Sequence, residues 1–330
     1  MAFQVNKVKY SGKINEVPLG TQKVLIGGQT AYNFHDFEGT FPHKPLLALQ
    51  VWDSDPGDSF PEPLTKAFAG VLKDPAAWAK KAVEYGADLI SLELVSTDPN
   101  DQDSSPEDAV KTVEKVLAAV NVPLIVNGVD NKDKDIDTLS LIAEKFQNKN
   151  LILGPVTDKN YKQIGAQALA YGHSIIAKSP IDVNLAKQLN ILLMDLGVTA
   201  DKILIDPTTS GLGYGLEYTY SIIERIVMAA LVQQDDKLQQ PIISIIGREN
   251  WKCKEASQPT AGNETLGDQT CRAVLMEVAT AISFLDAGSS IVVFAHPESL
   301  KIVRSYVNAV TDGGEIKADG IGDVPITAIK

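Results

Sequence analysis

Eight short, apolar, β-branched runs separated by longer stretches of helical period constrain this chain more than any other feature of its sequence. The runs are Leu46 to Asp53, Asp88 to Val95, Pro123 to Gly128, Leu151 to Val156, Ser174 to Pro180, Ile203 to Thr209, Ile242 to Gly247 and Ile291 to His296. Most are apolar nearly throughout, as parallel strands covered on both faces are, and parallel neighbours need helical crossovers between them. Eight such units predict an α/β fold of the (β/α)8 TIM barrel class. A doubly wound open sheet has the same rhythm, because periodicity does not register closure; the unit count favours the barrel.

The stretches between the runs carry helix signals of their own. Ala109, Val113, Val116, Leu117 and Val120 recur at helical spacing, with Lys111, Glu114 and Lys115 left for solvent. Ser105-Pro106-Glu107-Asp108 supplies a capping hydroxyl, a proline with φ already helical, and acids against the positive end of the dipole. Asp74-Pro75 and Ser179-Pro180 read as similar starts. Gly86, Gly172, Gly197 and Gly288 each follow a helical run and precede a strand, where a left-handed residue is needed.

The chain has 330 residues, 44% of them apolar, which is more than a bare barrel requires. The organisation expected is an N-terminal extension over 1–45 packing on the barrel, whose short alternating runs, such as Lys23 to Ile26, form a hairpin or cap at one barrel end; a barrel over 46–310; and an irregular Gly- and Asp-rich tail over 311–330. Acidic residues outnumber basic ones by 42 to 30, and the net charge is −12. No block of Lys and Arg is present to neutralise phosphates, which excludes a nucleic-acid role. Met1 to Tyr10 lacks the apolar core of a signal peptide and no apolar run is long enough to span a bilayer, so a cytoplasmic protein without membrane contact is expected. The two cysteines, Cys253 and Cys271, are too few for a four-thiolate iron–sulfur or zinc site. His35, His43, His173 and His296 form no ligand-spaced pair, and no bound metal is expected.

In a barrel of this class the carboxyl ends of the strands and the loops after them form the rim where sites are built. The polar residues falling there are Asp53, Glu93, Asn127, Asp130, Lys178, Asp206, Arg248, Glu249 and His296. Lys178 reads as the partner of a neighbouring carboxylate, against the alternative of a Schiff-base lysine with lowered pKa, which would make the chain an aldolase. Asp206 serves equally to hold a ligand or to cap loop amides. His296, before Pro297, reads as a structural residue at a helix start. The loop Thr208-Thr209-Ser210-Gly211-Leu212-Gly213-Tyr214-Gly215-Leu216-Glu217-Tyr218 lets backbone approach another molecule closely, or simply makes tight turns. It lacks the Gly-Lys-Ser/Thr ending and the dinucleotide spacing of phosphate cradles. Gly247 to Glu255 reads as a polar loop with an exposed Trp251 beside Arg248, suited to an interface. Cys253, between Lys252 and Lys254, has neighbours that would lower a thiol pKa but no adjacent base, and reads as an incidental thiol.

Three stretches together carry a resemblance: Gly27 to Pro42 with its Phe37-Glu38-Gly39; Asp206 to Tyr218 continuing to Glu224-Arg225-Ile226; and Gly247-Arg-Glu-Asn-Trp-Lys-Cys-Lys-Glu255. Over nearly its whole length the chain resembles the small subunit of the corrinoid iron–sulfur protein, related to the delta subunit of archaeal acetyl-CoA decarbonylase/synthase. The resemblance implies a barrel subunit of a heterodimer that carries a methyl group on cobalt from a methyltetrahydrofolate methyltransferase to acetyl-CoA synthase, with a reductive activator as a further partner. In that family the large subunit holds the iron–sulfur cluster and most corrinoid contacts, so no cluster is expected on this chain. Corrinoid domains commonly supply the lower cobalt ligand from Asp-x-His-x-x-Gly; Asn33-Phe34-His35-Asp36-Phe37-Glu38 lacks the Asp and the Gly.

The expected role is therefore a lid: rim loops over the corrin, with no catalytic residue assigned. Thr208, Thr209, Gly211, Gly213 and Tyr214, then Arg248, Asn250 and Trp251, are the candidate cofactor contacts, chosen by position. The alternative is a pterin-dependent methyltransferase with Asp53, Asn127 and Asp206 around a pterin ring, since carboxylates and amides suit its hydrogen-bonding edge.

Overall fold

The computed structural model describes residues 6–313. Its first elements are a two-stranded antiparallel hairpin, β1 (Val17–Leu19) and β2 (Val24–Ile26). Then come β3 (Leu46–Trp52), α1 (Glu62–Ala67), α2 (Pro75–Glu84), β4 (Leu89–Glu93), α3 (Pro106–Ala119) and β5 (Leu124–Asn127). Next are α4 (Lys132–Lys145), β6 (Ile152–Val156), α5 (Tyr161–Tyr171), β7 (Ser174–Lys178), α6 (Val183–Asp195), β8 (Ile203–Asp206) and α7 (Leu216–Leu231). The described chain ends with β9 (Ile242–Ile245), α8 (Gly247–Lys252), α9 (Lys254–Ser257), α10 (Gln269–Ala287), β10 (Ser289–Phe294) and α11 (Pro297–Asp312). Strands β3 to β10 pair in parallel in chain order, and β10 returns to β3 with Ile291 opposite Leu46, closing the barrel.

Alternation along the strands divides the core into two. Ala48, Leu89, Ile125, Ile152, Ile176, Leu204, Ile243 and Ile291 point inward, one from each strand, and pack together with Val17, Leu19 and Ile26 of the hairpin. The hairpin thus stoppers the barrel at its amino-terminal end. The intervening residues, such as Leu47, Leu49, Ile90, Leu92 and Val126, join the larger cluster under the helices. Asn33 fastens the rest of the N-terminal segment, its side-chain amide donating to the Leu285 and Ser289 carbonyls at 2.8 and 2.9 Å.

The helix-end signals operate as read. Asp74 and Ser105 cap α2 and α3, and Gly86, Gly172, Gly197 and Gly288 all adopt positive φ. Ser179-Pro180 does not start a helix: α6 begins at Val183, capped by the Asp182 carboxylate, which accepts from Asn184 and Leu185 N–H at 2.7 and 3.0 Å. Several strands stop short of their expected ends. After Asp206, Pro207 has no N–H for the ladder and Thr208 turns to φ +63°, so β8 ends and the rim begins. Gly247 to Glu255 is not an irregular loop but the helix α8 and the start of α9. Thr311 and Asp312 complete the last turn of α11, Gly313 follows with φ +75°, and residues 314–330 of the expected tail lie outside the described residues. Among the described residues no helix is long and apolar enough to cross a membrane.

Candidate active site and rim

Toward the carboxyl ends of the strands the inward positions change character. Leu89 gives way to Ser91 and Glu93, Ile125 to Asn127, Ile176 to Lys178 and Leu204 to Asp206. The barrel interior therefore ends in a polar cup, a cavity of about 280 Å³. Two buried carboxylates anchor it. Glu93 Oε1 accepts from the Ser91 hydroxyl at 2.7 Å and from the Asn127 amide at 3.0 Å. Burial pushes its pKa up, and the bonds from Asn127 and Ser91 with the charge of Arg248 only partly offset that. Asp206 Oδ1 accepts from Thr208 N–H at 2.9 Å. Its pKa is pushed up to about 6 by burial, with Lys178 opposing.

Lys178 donates to Asp130 Oδ2 at 2.9 Å. Burial favours its neutral form, but Asp206, Asp130 and Glu249 together outweigh burial and hold its pKa above the ordinary value. That is opposite to what a Schiff-base lysine needs, so the surroundings speak against an aldolase. Asp53 is also buried and shifted upward, yet it is spent on the next turn: it accepts from the Ser96 hydroxyl at 2.5 Å and from Ser96 N–H at 2.9 Å. Of the three residues suggested for a pterin ring, Asn127 and Asp206 line the cavity and Asp53 does not.

The residues chosen as cofactor contacts fall in three places. Thr208, Thr209 and Arg248 border the cup, with the Arg248 guanidinium 6.0 Å from the Trp52 ring centroid. Gly211, Gly213 and Tyr214 line a neighbouring hollow of about 420 Å³, shared with Glu249 and Cys253. Tyr214 is 85% exposed and Tyr218 60% exposed. The loop is held from behind: the Thr208 hydroxyl donates to the Ser179 carbonyl at 2.6 Å, and Ser210 N–H donates to the Thr219 hydroxyl at 3.1 Å. Gly211 is dictated by the turn itself, since at φ +74° an added Cβ would lie 2.7 Å from the Gly215 carbonyl oxygen.

Asn250 and Trp251 require correction. Trp251 is only 5% exposed, stacked on His296 with ring centroids 5.6 Å apart, and Asn250 is fully buried, donating to the Ala273 carbonyl at 3.2 Å. The one-turn helix α8 turns both inward, so they support the rim and do not face a ligand. His296 is structural, as read: it caps α11 by accepting from Glu298 N–H at 3.2 Å, and burial lowers its pKa to about 4. Cys253 is not an activated thiol, in keeping with its reading as incidental. Its pKa is raised by burial and by Glu255 and Glu249, while Lys252 is taken up by Glu249 at 2.7 Å.

Sequence reading missed Glu277. It lies fully buried on α10 and accepts from Ala295 N–H at 2.7 Å and His296 N–H at 3.3 Å. Burial pushes its pKa up to about 7 against those donors and the nearby Ser299 and Trp251 side chains. Helical spacing placed it on the face of Val274, Val278 and Ala281, which was the available signal. Among the described residues no group of three or more His, Cys, Asp or Glu is arranged to hold a metal ion.

Fold and site together define a (β/α)8 barrel protein with a charged cup at its mouth and an aromatic rim loop beside it. Comparison with known proteins narrows this. The CO dehydrogenase/acetyl-CoA synthase delta subunit family matches residues 13–304, and the chain belongs to that family. The acetyl-CoA decarbonylase/synthase complex subunit delta of Archaeoglobus fulgidus is 34% identical over 337 residues, covering 97% of this chain and 73% of that protein. Its counterpart in Methanothermobacter thermautotrophicus is 35% identical over 308 residues, covering 92% of this chain and 77% of that protein. Among solved structures, dihydropteroate synthase of Xanthomonas albilineans with 4-aminobenzoic acid superposes with a TM-score of 0.54 at 13% identity, covering 90% of this chain and 97% of that one. The Yersinia pestis dihydropteroate synthase gives 0.53 at 14%, covering 82% and 95%. At that identity the likeness speaks to the barrel fold alone.

Proposed function

We propose that this chain is the small subunit of a heterodimeric corrinoid methyl carrier, closing over a cobalt corrinoid that the large subunit mainly holds. The complex would pass a methyl group from a methyltetrahydrofolate methyltransferase to acetyl-CoA synthase in the reductive acetyl-CoA pathway. The delta-subunit relatives belong by name to an acetyl-CoA decarbonylase/synthase complex, which supports a role beside other subunits.

The observation that carries the lid reading is the rim loop. Tyr214 stands exposed on a glycine turn that is itself fixed by hydrogen bonds from behind, and Tyr218 in the first turn of α7 beside it, next to a hollow lined by the loop and by Glu249 to Glu255. Exposed aromatics on a pre-ordered loop suit a partner with a flat apolar body and a polar edge. The cup, at about 280 Å³, falls just below the ~300–1,000 Å³ of ordinary ligand sites. A macrocycle can lie across such an opening but not enter it. Thr208, Thr209, Gly211, Gly213, Tyr214 and Arg248 would then meet the corrin and its peripheral amides, with Asn250 and Trp251 beneath. When bound, the corrinoid supplies the methyl-transfer chemistry through its cobalt. The chain's own residues contribute shape, exclusion of water and backbone hydrogen bonds.

The reading is tested with the double substitution Tyr214→Ala and Tyr218→Ala in the complex with the large subunit. The fold is expected to survive, because both side chains are exposed, while the rate of cobalt methylation drops at least tenfold. Unchanged methylation and reduction of cobalt would contradict the lid role.

A further inference from the structure

The cup contains more chemistry than a lid uses, and its bonding pattern specifies what it lacks. The cations there are already engaged: Lys178 with Asp130, Lys252 with Glu249, and Arg248 against the Trp52 ring. The amide of Asn127 donates to Ser91 and Glu93 at 3.0 Å each. What remains uncommitted is mainly acceptor. Among the described residues no hydrogen bond reaches Glu93 Oε2 or Asp206 Oδ2, and the hydroxyl of Thr209, itself only 8% exposed, has no partner. Four carboxylates, Glu93, Asp130, Asp206 and Glu249, line the cup against three cations, Lys178, Arg248 and Lys252, which disfavours an anionic occupant. Pro155, Ile176 and Ile245 give it apolar walls.

We propose that the barrel mouth is a binding site for a flat, uncharged heterocycle of one or two fused rings that presents a ring N–H beside an amino group, the donor edge shared by pterins and guanine. Such an edge offers two parallel N–H donors, which a carboxylate accepts as it accepts a guanidinium. Asp206 takes the edge with its free Oδ2 and the remaining lone pair of Oδ1, Glu93 and the carbonyl oxygen of Asn127 read the adjoining groups, and the apolar walls sandwich the ring. The cup's volume, about 280 Å³, admits a ring system of that size, and its excess of carboxylates disfavours a phosphate on it. The upward shifts of Asp206 and Glu93 agree with carboxylates that lack the donors their burial calls for. The site lies inside the barrel and shares Thr208, Thr209 and Arg248 with the rim proposed to meet the corrin, so it is probed without corrinoid or large subunit, where its failure and that of the lid reading are distinguishable.

The test is titration calorimetry of the full chain, without corrinoid or large subunit, using 6-methylpterin, guanine and 6-methyllumazine. Lumazine puts a carbonyl where the amino donor would be. Pterin or guanine is expected to bind in the micromolar range, and the tighter of the two identifies the ring system. Lumazine is expected to bind at least tenfold more weakly, a comparison on the unaltered chain that does not depend on any variant folding. Asp206→Asn should weaken binding at least tenfold, and affinity should fall as pH is lowered through about 6, where Asp206 takes up a proton. No binding of either donor-edge probe, or lumazine binding as tightly as pterin, overturns the proposal.

Discussion

Asp206 and Lys178 each set the other's charge state, and the pair shows how residue-level chemistry in this barrel follows from strand alternation. Lys178 holds the carboxyl of Asp206 below where burial alone would put it. Lys178→Met should therefore raise the Asp206 pKa above about 6, read by carbon NMR titration of the carboxylates; an unchanged or lower value would show that the two do not interact. Glu277 makes a prediction of opposite kind, about the fold. Its folded pKa, about 7, lies above its unfolded value of 4.5, so its contribution to stability is complete below 4.5 and is lost as pH rises through about 7. His296, lowered to about 4, acts in the reverse direction, contributing stability above 6.5 that is lost as pH falls toward 4. Glu277→Gln should therefore remove part of the loss of melting temperature on going from pH 5 to 7.5, measured against the parent chain. At Gly211, alanine is expected to cost about 1–2 kcal/mol from its left-handed backbone, with more from contact with the Gly215 carbonyl, as urea unfolding would report. Glu93, Asn127, Lys178 and Asp206 were legible from the sequence because each ends an apolar strand at an inward position. Which hydrogen bonds they make, and that Asp53 is given over to Ser96, depends on side-chain geometry that no spacing encodes.

At the scale of elements, the hairpin and the short helix α8 mark the two limits of sequence reading. The run Lys23 to Ile26 was legible as part of a hairpin or cap, its partner strand was not, and Val17, Leu19 and Ile26 pack on the innermost ring of strand side chains. Burying three such residues contributes roughly 1.5–3 kcal/mol each. Leu19→Ala is expected to destabilise the protein by about 2–5 kcal/mol in denaturant titration, while leaving heterocycle binding at the opposite end of the barrel intact. A cost under 1 kcal/mol would mean that the hairpin is not part of the cooperative core. Gly247 to Glu255 was misread because its polar residues outweigh the three buried ones, Gly247, Asn250 and Trp251. A single helical turn carries too few residues for periodicity to detect, so Asn250 and Trp251 passed for surface. The fourteen-residue α3 gave both its face and its cap, and α2 its cap.

At the scale of the molecule, closure was the one property that periodicity did not contain, and it decides what the chain can do. Closing β10 onto β3 brings side chains from the second to the seventh unit around one axis and leaves them facing a single opening. That opening has two layers: a small charged cup inside the barrel, and a glycine and tyrosine rim, proposed above to close over a corrinoid held by another subunit. The rim claim is the central one. Its most direct measurement is co-purification of this chain with the large corrinoid subunit, followed by visible absorption spectra of the complex and of the isolated chain. The account predicts a stable complex carrying corrinoid bands, an isolated chain without them, and a shift of the bands when Tyr214 and Tyr218 are replaced. Failure to form a complex, or bands that do not respond to the rim loop, would contradict it.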